Sequence, residues 1–194
     1  MMRLGILSSH EGSLLQLVMD GCANQKIPAT VNLVISNNSK SRAYRRAIEA
    51  GATTLHLSSN THSDPELLDQ AMLDALIAHD VSQVLLAGFM RKIGPRTLAH
   101  FKGHIINTHP SLLPKFGGQG YYGRRVHEAV LASGENETGA SVHQVIDAYD
   151  QGSVIAQVRV PVNSTDSVDD IENRVKNAER DLLVNTLIKT ALSS

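Results

Sequence analysis

Several residue types are scarce in this sequence, and each scarcity excludes a class of protein. The 194 residues contain no Trp, and aromatic residues make up only 4%, so platforms that stack the bases of single-stranded nucleic acid are not expected. Cys22 is the only cysteine. A single cysteine cannot form a disulfide within the chain, and no Cys/His cluster has the spacing of a zinc site. The net charge of -1 argues against nonspecific binding to nucleic acid or to an anionic membrane.

Long apolar runs are also missing. None reaches the length that a membrane-spanning helix needs, and the apolar start at residues 4–8 is too short for a signal peptide. We therefore expect a protein of a reducing compartment, most simply the cytoplasm. The 42% hydrophobic and 19% charged residues are typical of a globular protein, which we predict to be one domain over residues 1–194.

Strands and helices alternate along most of the chain. Apolar runs predict five strands, at residues 4–8, 30–36, 53–57, 83–87 and 102–108. Helical patterns separate them, which predicts an α/β fold with a mostly parallel twisted sheet and helices on both faces. Residues 138–146 and 154–162 flank a turn and predict an antiparallel edge hairpin, and residues 167–192 predict a long closing helix.

In such sheets ligands lie beyond the carboxyl ends of the strands. Three loops meet that condition, at residues 8–13, 88–94 and 107–123. Gly12 and Ser13 open a helix whose free N–H groups suit an anion, although this signal taken alone favours an ordinary strand-to-helix turn. The apolar loop 88–94 is suited either to walling a pocket for a flat ligand or to packing on its own domain. Loop 117–123 is rich in glycine, which suits a close approach to a ligand or a mobile surface loop.

The end of the fifth strand carries the chemistry. Asn107 and His109 share one face of that strand because side chains alternate with a period of two. A carboxamide can hold a developing negative charge while an imidazole moves a proton. Asp150, in the hairpin turn, can reach His109 and raise the pKa of its ring. A hydrogen-bonded core histidine is the alternative. No serine or cysteine has the context of a nucleophile, so the pattern favours direct transfer between two bound substrates.

These motifs resemble one enzyme family. The run Asn107-Thr-His109-Pro-Ser-Leu-Leu-Pro114 follows Leu86-Ala-Gly-Phe-Met-Arg91 and precedes Ser141-Val-His143 and Asp150-Gln-Gly152. In this order they are similar to the phosphoribosylglycinamide formyltransferases, and the resemblance covers nearly the whole chain. It implies a Rossmann-like formyltransferase domain in purine biosynthesis that passes the formyl group of 10-formyltetrahydrofolate, a co-substrate, to the amine of glycinamide ribonucleotide.

The resemblance also implies roles for individual residues. Asn107 is expected to bind the formyl oxygen, His109 to act as general acid, and Asp150 to keep His109 charged and help deprotonate the amine. His143 and Ser141 are expected to support them. The folate is expected to lie against Met90, Arg91, Lys92, Ile93, Asn107, Ile146, Asp147, Ala148, Tyr149 and Asp150. The ribonucleotide is expected to bind Gly12, Ser13, Leu14, Lys176 and Glu179. Without the resemblance, Lys176 and Glu179 fit an exposed ion pair.

Some positions depart from the family pattern. Leu14 replaces a common Asn, Glu11 adds a negative charge beside the expected phosphate, and Lys92 stands where an aliphatic residue is common. Pro65 lies about where some members have a folate-binding arginine. Another amine acceptor, such as an amino sugar nucleotide, therefore stays an alternative, as does a catalytically silent folate-binding protein. The expected partners are the two small-molecule substrates, with no metal, nucleic acid or membrane, in a monomer or homodimer.

Overall fold

The computed structural model describes residues 1–193, in which strands and helices alternate as expected. The strands are β1 (Met2–Leu7), β2 (Ala29–Ser36), β3 (Thr54–His56), β4 (Gln83–Leu86), β5 (Ile105–His109), β6 (Glu137–Gln144) and β7 (Val154–Pro161). The helices are α1 (Ser13–Ala23), α2 (Arg42–Glu49), α3 (Pro65–Ala78), α4 (Pro95–His100), α5 (Arg124–Ala132) and α6 (Val168–Leu192).

The strands form one sheet in the order β3-β2-β1-β4-β5-β6-β7. β1 pairs in parallel with β2 and with β4, and β2 pairs in parallel with β3. β6 and β7 are antiparallel at the edge, with Ser141 opposite Gln157. This confirms the predicted α/β class with a mostly parallel sheet and an edge hairpin.

The chain forms two compact units, residues 1–106 with 187–193 and residues 107–186. The assignment of a single domain over residues 1–194 stays a prediction. Over residues 1–193, no helix is both long and apolar enough to cross a membrane.

β1 is the central strand of the first unit. Leu4, Ile6 and Leu7 are fully buried, because the strand has a hydrogen-bonded neighbour on each side. A strand in this position is covered on both faces, which explains its nearly continuous apolar run.

α3 does not bury all of its apolar residues. Met72 and Leu76 are buried, but Leu67 is 60% exposed and Ile77 is 46% exposed. The face towards the core instead includes a carboxylate, Asp69, which is only 5% exposed.

Asp69 caps the next helix. Its side chain accepts hydrogen bonds from the backbone N–H of Arg96 at 2.7 Å, the N–H of Thr97 at 3.2 Å and the Thr97 hydroxyl at 2.6 Å. The first N–H groups of a helix have no partner within the helix. Asp69 therefore supplies hydrogen-bond acceptors to two free N–H groups at the start of α4, although it lies far from them in the sequence.

The second unit is organised around β6. Residues 138–143 are all buried, because β6 lies between β5 and β7 in the sheet. Ala140 packs in a core with Ile171 and Val175 of α6. α6 begins after Ser167, whose hydroxyl accepts the N–H of Asp170 at 3.2 Å while the Asp170 carboxylate accepts the N–H of Ser167 at 2.9 Å. This reciprocal cap fixes where α6 begins.

Candidate active site

The end of β5 places a histidine in a buried position. Asn107 and His109 alternate with Thr108 along the strand, and His109 is 4% exposed. Nδ1 of His109 lies 3.5 Å from Oδ2 of Asp150. The carboxylate from the hairpin turn therefore reaches the imidazole, as the sequence predicted.

The other ring nitrogen of His109 is held by the backbone. Nε2 lies 2.7 Å from the carbonyl oxygen of Phe116. A carbonyl oxygen can only accept, so Nε2 carries a hydrogen and donates it. In the neutral ring the lone pair is therefore on Nδ1, and any additional proton binds on the side of Asp150.

Asp150 is held by three groups. Its Oδ2 accepts the N–H of Gly118 at 3.0 Å, and its Oδ1 lies 3.5 Å from Nε2 of His143. The residue has a φ of 55°, in the left-handed region that side chains rarely adopt. A turn in this conformation aims the carboxylate at two imidazoles at once.

Burial and charge act against each other on these groups. Burial lowers the pKa of His109, whereas the Asp150 charge and the Phe116 carbonyl raise it and His143 lowers it further; the net pKa lies below 6.5. Asp150 acts in the predicted direction, but burial outweighs it, so the His109 ring is neutral at pH 7. Burial alone would raise the pKa of Asp150, yet the nearby His143, the positive charge that His109 can carry and the bond from the Gly118 N–H hold this pKa below 3.8.

Asn107 is oriented by His143. Nδ1 of His143 lies 2.9 Å from the carbonyl oxygen of Gln144 and must donate to it. With Nδ1 as the donor, Nε2 can accept, and it lies 3.1 Å from Nδ2 of Asn107. One N–H of Asn107 is held by His143, which leaves the second N–H for an incoming oxygen.

Ser141 secures the turn that follows β5. Its hydroxyl donates to the carbonyl oxygen of Ser111 at 2.6 Å and accepts the N–H of Leu113 at 3.1 Å. Ser111 and Ser141 are both fully buried. The expectation that Ser141 and His143 support the site is consistent with these contacts.

Lys176 and Glu179 do not form the exposed ion pair that was the alternative to a binding role. Nζ of Lys176 lies 2.6 Å from the Glu172 carboxylate, and Glu179 is only 8% exposed. Burial raises the pKa of Glu179, against the opposing effects of its hydrogen bond with Thr108 and the charge of Lys176. A buried carboxyl group on the same helix as an exposed ammonium suits a polar ligand with hydroxyl and anionic groups.

In the first unit, Gly12 precedes α1 with a φ of 68°. A Cβ at this position would lie 2.7 Å from Cα of Ala43, so only glycine fits without a shift. Ser13 begins the helix and is exposed, and Leu14 is half-buried. The added charge of Glu11 is paired, because its carboxylate lies 3.4 Å from the Arg42 guanidinium.

The loop after β4 is exposed at Met90, Arg91 and Lys92, but Ile93 is only 4% exposed. The Met90 N–H donates to the Ser9 hydroxyl at 2.8 Å. Met90, Arg91 and Lys92 can therefore face a ligand, whereas the Ile93 side chain is part of the core and can offer only its backbone.

The hairpin turn of the second unit is mostly open. Ile146 is 48% exposed and Tyr149 is 50% exposed. Asp147 is also exposed, and Ala148 is half-buried. In contrast, the Asp150 side chain in the same turn is only 11% exposed.

Known proteins share this sequence pattern and this fold. Residues 2–187 match the model of the formyl transferase family. The chain belongs to the formyl transferase family. It is 39% identical over 92% of its length to a phosphoribosylglycinamide formyltransferase of Escherichia coli strain K12, of which it covers 82%, and 34% identical to the Haemophilus influenzae protein of that name, again over 92% of the chain and 82% of the relative. The crystal structure of glycinamide ribonucleotide transformylase 1 from Symbiobacterium toebii superposes with a TM-score of 0.91 at 34% identity, covering 100% of this chain and 89% of that one.

This formyltransferase has site contacts that the sequence did not predict. The Phe116 carbonyl and the Gly118 N–H are backbone groups, so the identity of the residue at either position does not reveal the contact. His127 is 2% exposed, and its Nδ1 is buried without a partner. Its Val-His-Glu-Ala-Val context is an ordinary helix pattern, and no signal separated it from a core histidine.

Over residues 1–193, no group of three His, Cys, Asp or Glu side chains is placed to hold a metal ion.

Proposed function

We propose that this protein transfers the formyl group of 10-formyltetrahydrofolate to the amine of glycinamide ribonucleotide, in purine biosynthesis. One observation carries the proposal: an ionised Asp150 lies between His109 and His143, and His143 in turn orients Asn107. The names of the relatives support the choice of substrates. A cytoplasmic location stays a prediction.

The reaction begins with attack of the amine nitrogen on the formyl carbon. A carbon–nitrogen bond forms, and the carbonyl electron pair moves onto the formyl oxygen. The free N–H of Asn107 donates to this oxyanion, as does Nδ1–H of His109 once the ring is protonated. Preorganised donors of this kind are typically worth about 2.7–4 kcal/mol each.

The second half of the reaction breaks the bond between the formyl carbon and N10 of the folate. Asp150 accepts the proton that the attacking amine loses, directly or through water, and passes it to Nδ1 of His109, 3.5 Å away. The protonated ring then gives this proton to the leaving nitrogen, so the ring is neutral again after each turnover. The products are the formylated amine and tetrahydrofolate. No covalent intermediate on the enzyme and no metal are required.

Each substrate has a proposed place. The folate ring lies against Met90, Arg91, Lys92 and the backbone of Ile93, and against Asn107 and residues 146–150. The phosphate binds the N–H groups at Gly12, Ser13 and Leu14, while Lys176 and Glu179 bind the phosphoribosyl part. Because Glu11 is paired with Arg42, its charge does not prevent this placement.

The test is a transfer assay with a formyl group labelled with ¹³C, in which mass spectrometry follows the label into the product. Transfer to glycinamide ribonucleotide is expected from the wild type, and loss of at least about a hundredfold from Asn107→Ala. Near-wild-type turnover by His109→Ala would contradict the mechanism. Folate binding with no transfer to this ribonucleotide, but transfer to an amino sugar nucleotide, would favour the alternative acceptor suggested by Leu14. Folate binding with no transfer to any acceptor would favour a silent folate-binding protein.

A further inference from the structure

Ser9 joins two loops that the proposed function assigns to different substrates. Its backbone N–H donates to the carbonyl oxygen of Gly88 at 3.1 Å, and its hydroxyl accepts the N–H of Met90 at 2.8 Å. Ser9 is only 1% exposed, whereas Met90 is 42% exposed. A buried residue in the loop after β1 therefore holds the backbone of the loop after β4 at two points.

Ser8 strengthens the same link. Its hydroxyl donates to the carbonyl oxygen of Ala87 at 2.7 Å. The pairing of β1 with β4 ends at Leu7 and Leu86. The bonds of Ser8 and Ser9 therefore continue the connection between the two strands into the loops beyond their carboxyl ends, where open α/β sheets bind ligands.

The far side of the loop after β1 is fixed on α2. The carbonyl oxygen of His10 accepts the N–H of Ala43 at 2.8 Å. Gly12 also packs against Ala43, since a Cβ on Gly12 would lie 2.7 Å from the Ala43 Cα. Residues 10–12 consequently have little room to absorb a change at the start of α1, and such a change is transmitted to Ser9.

The loop after β4 has less support of its own. Residues 89–94 form neither helix nor strand, and the side chains of Met90, Arg91 and Lys92 are not buried. Segments with few buried contacts open at a lower free energy than the core does. The bond from the Met90 N–H to Ser9 distinguishes the ordered form of this loop from an open one.

We propose that Ser9 couples the two substrate sites, so that ribonucleotide bound at Gly12 and Ser13 increases the affinity for folate at the Met90 loop. The inference rests on the proposed function, which assigns these two loops to the two substrates. The phosphate fixes residues 8–13, Ser9 then holds the Met90 N–H, and the folate has less backbone to order when it binds.

The coupling acts in both directions. A coupling free energy belongs to the pair of sites, so the folate must increase the affinity for the ribonucleotide by the same factor. The link through Ser9 to Met90 is a single side-chain hydrogen bond. The net effect of one such bond corresponds to a factor of about two to ten in a dissociation constant.

The test uses tetrahydrofolate, which carries no formyl group, so both ligands stay intact. Isothermal titration calorimetry measures its Kd with and without saturating glycinamide ribonucleotide, and the reciprocal titration measures the Kd of the ribonucleotide. In the wild type each ligand is expected to lower the Kd of the other by about two- to tenfold. Ser9→Ala is expected to abolish this effect in both titrations.

Ser82→Ala is the matched control. The Ser82 hydroxyl accepts the N–H of Arg3 at 3.0 Å, so it joins β1 to the start of β4 at the opposite end of the sheet from the two loops. This variant is expected to keep the mutual effect of the ligands. Hydrogen exchange gives a readout without ligands: the Met90 amide is expected to exchange faster in Ser9→Ala, while the amides of β1 and β4 keep their protection.

The other outcomes separate the two proposals. Binding of both ligands to the wild type without any mutual effect would overturn the coupling alone. A mutual effect that persists in Ser9→Ala, with the Met90 amide exchanging faster, would overturn the role of Ser9. Absence of ribonucleotide binding would overturn the proposed function as well.

Discussion

Replacing Asp150 with Asn tests the centre of the mechanism. The change keeps the shape of the side chain and an oxygen that can accept the Gly118 N–H, but it removes the charge 3.5 Å from His109 Nδ1. At that distance and an effective dielectric constant of about 20, a carboxylate stabilises an imidazolium by about 4–5 kcal/mol. Because the Asp150 side chain is only 11% exposed, solvent screens little of this attraction.

The expected result is a fall in kcat/KM of about 10³–10⁴-fold, because each 1.36 kcal/mol of lost transition-state stabilisation is tenfold in rate. The pH dependence should change as well. Without the carboxylate, burial acts with less opposition and the pKa of His109 falls further. Activity that depends on the protonated ring is then expected to move to lower pH.

The assay measures initial rates between pH 5 and 9 with the folate saturating, alongside circular dichroism to confirm folding. Asp181→Asn is the matched control, since this exposed carboxylate of α6 undergoes the same chemical change. A folded Asp150→Asn protein that keeps more than about a third of wild-type kcat/KM, or keeps the wild-type pH profile, would refute the reasoning.

Further predictions concern positioning and stability. His143→Ala is expected to lower kcat about tenfold to a hundredfold with little change in KM for either substrate, because Asn107 loses the acceptor that orients it; equal loss in Asn107→Ala and the double variant would show that the two act as a unit. Asp69→Ala is expected to lower the free energy of unfolding by about 2–4 kcal/mol in urea titrations, since three donors at the start of α4 lose their partner, whereas Asp69→Asn should cost less. Burial lowers the pKa of both His109 and His127 below 6.5, so the unfolded chain binds more protons than the folded chain as the pH falls. The free energy of unfolding should therefore keep its full value above pH 6.5 and decline below it. An equally steep decline in His127→Gln would exclude a contribution from that ring. Gly12→Ala is expected to destabilise by about 1–3 kcal/mol, because of its positive φ and the contact with Ala43.

The α/β class and the shared face of Asn107 and His109 followed from local pattern. The apolar run of β1 and the alternation of Asn107 with His109 are short-range features, which indicate a buried strand and show which side chains share a face. Asp150 was predictable because it occupies the turn of a hairpin. The sequence also placed the start of α6 correctly at Ser167.

The rest depended on tertiary contacts that leave no periodic signal. Asp69 lies on the buried side of α3 because its partners are the free N–H groups of α4, 27 and 28 residues away, and no rule of helix amphipathicity predicts a carboxylate there. The net pKa of His109 depends on how deeply the ring is buried, which the proximity of Asp150 alone does not determine. The sequence left open whether the apolar loop 88–94 walls a pocket or packs on its own domain, and only the structure shows that the Ile93 side chain is buried.

The two backbone contacts at Phe116 and Gly118 have a consequence for mutagenesis. They hold one charge-bearing group each, the His109 ring through a carbonyl and the Asp150 carboxylate through an N–H. Every substitution of Phe116 retains the backbone carbonyl. Alanine-scanning mutagenesis would therefore miss this residue, although its carbonyl determines which nitrogen of His109 carries the hydrogen. Changes of chain length between residues 114 and 118, or an ester in place of the Gly118 amide, would reveal it.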